Sequence, residues 1–289
     1  MKWKGRARST NVEDRRKGGG ATKIAAGGGI IALVFFAIQF FAGGGNTEQL
    51  IQQAPQLIEM VKGSRTENKT GQTEFTQAEL DQLEFVEVVL KDTEDVWDKV
   101  FKENGLTYRK PQFVLFRGSV QSGCGGASTA SGPFYCSADE KIYMDLDFFD
   151  QLSQQFKTSI GEFAIAYVIA HEVGHHVQHQ LGTLSETRKA QQQVSEVEAN
   201  KIMVALELQA DFYAGLWAHH NKQHLEEGDI EDALNAASTV GDDNIQKKTQ
   251  GHVVPETFTH GTSKQRMEWF SRGFKTGDIK QGNTFAQIQ

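Results

Sequence analysis

From Thr76 onward the chain alternates between apolar positions spaced three and four apart and shorter stretches spaced two apart. Leu80, Leu83, Val86, Leu90, Val96, Trp97, Val100 and Phe101 recur at helical spacing. Thr76 with Glu79 makes a capping-box signature ahead of them, and Asn104-Gly105 supplies a stop, so an amphipathic helix is predicted between. Residues 112–116 and 141–149 read as strands, the second with Ile142, Met144, Leu146 and Phe148 on one face. The remainder has helical character. The pattern predicts a helix over 160–180, one helix or a kinked pair over about 186–221, and helices over 230–240 and 262–274. The last is opened by Thr262 with Gln265 at capping-box spacing. No internal repeat is visible. The expected architecture is α+β, mostly helical, with a small antiparallel sheet packed on the helices.

The pattern changes near the amino end. No charged residue occurs from Ile24 to Ala42, and 30–41 (IIALVFFAIQFF) is nearly continuous apolar sequence. A helix of this length just reaches across a hydrocarbon core of about 30 Å. Four segments follow from this: a basic head over 1–23, a transmembrane anchor over 24–43, a linker over 44–75 and a folded domain over 76–289. Charge sharpens the division. The chain carries a net −7, yet residues 1–23 hold eight Lys/Arg against two acids, leaving the rest at −13. The positive-inside rule then puts the head in the cytoplasm and the domain outside it. An acidic body also argues against nucleic acid as a partner. A cleaved signal peptide is the alternative. Ala42-Gly43-Gly44 offers small residues, but the polar leader is long and no A-x-A site follows. Cys124 and Cys136 flank a Gly/Ser-rich stretch (CGGASTASGPFYC). In an exported domain a disulfide between them would close a short loop, stabilising it by roughly 3 kcal/mol. Neither C-x-x-C nor a nearby His suggests a redox or metal role for the pair.

Candidate chemistry lies in the 160–180 helix, at His171-Glu172-Val173-Gly174-His175. Two His four residues apart project from one helical face, so both imidazoles can reach one zinc, while Glu172 points slightly round the helix toward water at the metal's open position. A Glu so placed can take a proton from the attacking water and deliver it to a leaving amine. The preceding FAIAYVIA marks this helix as central. A third ligand is needed. The metzincin pattern fails, since it requires Gly at 178 and His at 181 where the chain has Gln178 and Leu181, and the inverted H-x-x-E-H order is absent. His179 extends the stripe, but one straight helix cannot easily wrap three turns around a metal. Glu207 and Asp211 lie on one face of an otherwise apolar helix, where unpaired carboxylates would be costly. Glu207 fits as a ligand, and Asp211 as acceptor of the outer N–H of a ligating His.

H-E-x-x-H followed by E-x-x-x-D is the gluzincin arrangement. HEVGHHVQHQLG, ELQADFYAGLWAHH, GPFYCSADEKIYMDLDFF and HGTSKQRMEWFSRGF together resemble the neutral zinc metallopeptidase family of bacterial membrane proteins, over roughly 112–274 plus the anchor. The resemblance implies one Zn2+ per chain, with His171, His175 and Glu207 as ligands and Glu172 as catalytic base. It also implies a zincin-like fold, a peptide or protein substrate, and a domain held outside the cytoplasm by a single pass through the bacterial inner membrane. His260, just before the last helix, is a candidate donor to the oxyanion of a tetrahedral intermediate. The 141–149 strand is a candidate edge for an extended peptide. His219, His220 and His224 read as complements to a helix carboxyl end, and His176 as facing away from the metal. The reading is a membrane-anchored zinc endopeptidase. The alternative is a zinc-binding or scaffold module of the cell envelope without turnover.

Overall fold

A computed structural model of the chain describes residues 1–16, 74–156 and 161–287. The first long helix, α1 (Gln77–Glu103), begins where its capping box predicts: Thr76 Oγ1 accepts the Glu79 N–H at 3.3 Å and the Glu79 carboxylate accepts the Thr76 N–H at 2.7 Å. It buries Val86, Val89, Leu90 and Trp97 against the core and stops at Asn104.

Strands β1 (Val12–Asp14), β2 (Gln112–Leu115), β5 (Phe134–Cys136) and β6 (Lys141–Met144) form one sheet in the order β1-β2-β6-β5, and β3 (Ser119–Ser122) pairs with β4 (Gly125–Ser128) as a separate hairpin. The sheet is mixed, not antiparallel: β1 with β2 and β2 with β6 are parallel, and only β5 runs opposite to its neighbour. The expected strand over 141–149 ends at Met144. Asp145 accepts the Asp147 N–H at 3.1 Å and helix α2 (Asp147–Phe156) begins there, so Phe148 leaves the sheet. Nor is this strand an edge, because β2 and β5 flank it and β5 takes the edge. The Cys124–Cys136 disulfide is formed and ties the end of β5 to the hairpin.

The helical half follows the pattern closely. Its elements are α3 (Glu162–Gln180), α4 (Thr183–Gln191), α5 (Glu196–His220), α6 (Asp229–Thr239), α7 (Asp242–Gln250) and α8 (Ser263–Thr276). The run predicted as one helix or a kinked pair is two, because Ser195 starts α5 with a capping box of its own to Glu198. Helix α7 was not anticipated from its polar sequence, DDNIQKKTQ. At the centre, α5 crosses α8 with almost no separation. A Cβ on Gly215 would sit 2.0 Å from the Phe270 carbonyl oxygen, and one on Gly273 would sit 2.0 Å from that of Phe212. Phe163 stacks on Trp217 beside this crossing, and Tyr167 meets Phe270 edge-on.

The amino end departs from expectation. Residues 1–16, read as a head apart from the domain, pack onto it: Met1 and Trp3 are buried and β1 joins the sheet. The predicted anchor over 24–43 and nearly all of the linker lie outside the described residues. Among the described residues, no helix is long and apolar enough to cross a membrane.

Gly215→Ala is expected to lower stability by about 3 kcal/mol, because backbone on both sides of the crossing would have to move. Urea unfolding of the purified chain checks this.

Candidate metal centre

Helix α3 is buried along its length from Phe163 to Gln178 apart from Ile165 and Val168, which are partly covered. A single residue lets it approach α5: a Cβ on Gly174 would lie 3.2 Å from both the Cα and the carbonyl oxygen of Ala210. The glycine inside His171-Glu172-Val173-Gly174-His175 thus brings the two helices close enough for their polar side chains to meet. His171 Nε2 lies 3.2 Å from Glu207 Oε2, and His175 Nε2 lies 3.4 Å from Glu207 Oε1. One ligand atom from each of the three lies within 4.8 Å of the others, and all three residues are buried.

Both imidazoles present Nε2 inward because Nδ1 is engaged elsewhere. His171 Nδ1 meets Asp211 at 2.9 Å and His175 Nδ1 meets the side-chain Oε1 of Gln178 at 2.8 Å. Gln178 is itself fixed, donating to the Leu206 carbonyl at 2.7 Å and to Gln209 at 3.1 Å. Asp211 is wholly buried and accepts from Tyr167 Oη at 2.5 Å, Arg266 Nε at 2.8 Å and Arg266 Nη2 at 3.0 Å. Burial opposes its charge, but the Arg266 guanidinium and His171 outweigh burial and hold the carboxyl down at about 2. Burial likewise opposes charge on His171, yet Asp211 and Glu207 push its imidazole up to about 10. The pocket thus favours a positive charge between Glu207 and the two Nε2 atoms. A divalent ion held by neutral imidazoles would supply it, and the donor set of two His and one carboxylate suits zinc.

Glu172 is buried beside this cluster, and its Oε2 has no hydrogen-bond partner among the described residues. Burial raises its carboxyl above the ordinary value, while His175 and His171 pull it back. The backbone N–H of Tyr135, on edge strand β5, lies beside it. From the other side comes His260, whose side chain is a quarter exposed. Burial works against its charge, but Asp242 and Glu207 raise its pKa, and its charge in turn helps to lower that of Glu207. Asp242 holds the loop in place: one oxygen accepts the backbone N–H groups of Thr259, His260 and Gly261 at 2.7–2.9 Å, and the other lies 3.5 Å from His260 Nδ1.

The residues expected at the metal come together as expected, with Asp211 behind His171 and His260 facing Glu207. His176 turns away, to the Tyr135 hydroxyl and the Arg109 carbonyl, and His179 lies 3.6 Å from Glu140. His219 and His220 contact the carbonyls of Phe274 and Gly277, far from ligand chemistry. Spacing along the sequence did not reveal Arg266, Tyr167, Gln178 or Asp242 as supports. Arg266 lies within HGTSKQRMEWFSRGF, where its motif alone could have drawn attention. Arg266→Ala is expected to cost about 3–5 kcal/mol by leaving the Asp211 charge without its main partner, with Arg266→Lys recovering part of it. Thermal and urea unfolding of the three proteins measure this.

Comparison with known proteins places the chain in a family. The family model described as "Putative neutral zinc metallopeptidase" matches residues 1–285. The chain is 41% identical over 289 residues to Uncharacterized protein YpfJ of Escherichia coli (strain K12), covering 99% of each. It is 44% identical over 214 residues to Uncharacterized protein Rv2575 of Mycobacterium tuberculosis, covering 70% of this chain and 71% of the relative. No solved structure matches it. With a match that takes in almost the entire sequence, from the buried amino end to the last described turns, the chain belongs to the neutral zinc metallopeptidase family.

Proposed function

We propose that the protein is a zinc-dependent endopeptidase that hydrolyses peptide bonds with Glu172 as general base. The observation that carries this is the Glu172 carboxylate, buried beside the three ligand groups with one oxygen unpartnered among the described residues. A buried acceptor without a donor is costly in a folded protein, and one poised next to a metal site has a water molecule as its natural partner. His171, His175 and Glu207 would hold the ion. Zinc in that position polarises a carbonyl and acidifies water. Glu172 takes the proton as the water oxygen bonds to the scissile carbon, then passes it to the amine as the C–N bond breaks. Carboxylate and amine products result. His260, aligned by Asp242, donates to the oxygen that gains negative charge. Strand β5 is the sheet edge beside Glu172, so an extended peptide would lie along Phe134–Cys136, not along β6 as its sequence suggested.

The disulfide supports a compartment outside the cytoplasm, where such bonds persist. The uncharged stretch from 24 to 42 supports attachment to a membrane. The competing reading, a zinc-holding module without turnover, differs in one measurable respect.

Wild-type full-length protein should carry close to one zinc per chain and cleave an unfolded substrate such as casein. Glu172→Gln should keep the zinc and lose about 10²–10⁴-fold in rate. Zinc at full occupancy in both, with cleavage in neither, would support the silent module. His260→Ala is expected to retain the metal and lower kcat by about 10²–10³-fold, read in the same assays. Glu207→Ala should lose the metal itself, measured by elemental analysis after dialysis.

A further inference from the structure

The amino-terminal residues are tied to the catalytic body at every step. Trp3 is 6% exposed, meets Phe85 edge-on at 5.6 Å, and donates its indole N–H at 3.0 Å to Glu162, the first residue of α3. Arg6 grips Asp92 with both terminal nitrogens, and Arg8 reaches Glu84 at 3.0 Å and Glu87 at 3.7 Å. Ser9 and Asn11 donate to the buried Glu94 at 2.6 and 2.7 Å. Residues 12–14 then pair with β2 in parallel register. Arg16 donates to the Glu79 carbonyl at 3.1 Å and covers the Phe75 ring at 4.5 Å.

Two consequences follow. The positive charge of residues 1–16 is largely matched by carboxylates: those of Arg6 and Arg8 on α1, and Glu13 and Asp14 for Arg15 and Arg16. Basic residues paired in this way cannot serve as the free cytoplasmic charges that the positive-inside rule counts. Furthermore, Arg16 touches Phe75 and Glu79, so the two flanks of the undescribed segment emerge side by side. A single crossing would hold them on opposite faces of a hydrocarbon core about 30 Å thick. A β-strand pairing cannot form across that distance.

We propose that residues 1–16 are a permanent strap of the catalytic body, in the same compartment as the metal centre. The strap neutralises the acidic face of α1 and abuts the start of the helix that bears His171 and His175. This conclusion holds whether or not the metal centre turns over substrate.

Single cysteines at the exposed positions Thr10 and Lys264 test it in the full-length chain, whose native cysteines are paired. Thr10→Cys and Lys264→Cys are expected to react with a membrane-impermeant maleimide in the same preparation, intact spheroplasts or inverted vesicles, and to be protected together in the other. Labelling from opposite sides would overturn the proposal. Trp3→Ala in the purified full-length protein is expected to lower the thermal midpoint by about 6 °C or more. An unchanged midpoint would equally overturn it, since a head on the far side of a membrane contributes nothing to the domain.

Discussion

A carboxylate shut away from water is the constraint around which this protein is built. Asp211 has no solvent access, and four nitrogen and oxygen partners on three separate side chains keep its charge satisfied. Arg266 comes from α8, Tyr167 and His171 from α3, and Asp211 itself from α5. Satisfying one buried charge therefore fixes the relative positions of three helices. It also orients His171, because an imidazole whose Nδ1 is held by a carboxylate must present Nε2 to the metal site. Stability and site geometry thus share a single network.

Close packing makes that network possible. The crossing of α3 and α5 depends on Gly174, and that of α5 and α8 on Gly215 and Gly273. Side chains at these positions would separate the helices, and hydrogen bonds of 2.5–3.0 Å to Asp211 would be lost. His175 is held by a different device, Gln178 with its own amide anchored on α5. The position at which a metzincin pattern would require glycine is here a support for His175. His260 is positioned from outside this core by Asp242, whose carboxylate gathers three successive backbone N–H groups.

The site was legible to the extent that its members lie close in sequence. His171 and His175 share one helix face with Glu172 slightly round from them, and Glu207 and Asp211 are one turn apart on another helix, so helical periodicity alone groups them. Arg266 lies 55 residues from Asp211 and Asp242 lies 18 residues from His260, separations that no periodicity encodes. The same division runs through the fold. Capping boxes at Thr76 and Thr262 marked real helix starts. The strand over 141–149 was overextended because its alternation continues in sequence while Asp145 turns the backbone into a helix. The mixed character of the sheet was not legible because the two strands read from the sequence, β2 and β6, pair in parallel across the cysteine loop, while β5 within that loop and β1 in the basic segment give no strand signal of their own.

By itself, the sequence determined most of the helices, the capped starts at Thr76 and Thr262, and the grouping of His171, Glu172 and His175 on one helix and of Glu207 and Asp211 on another, since each follows from contacts within one or two turns. Tertiary structure alone decided where the charges go. Eight basic residues beside an apolar run look like a cytoplasmic head when counted along the chain. In space, Arg6 and Arg8 face carboxylates on α1 that lie about eighty residues away. Electrostatic partnership depends on distance in three dimensions, and pairing in a parallel sheet on strands remote in sequence. A count along the chain holds neither.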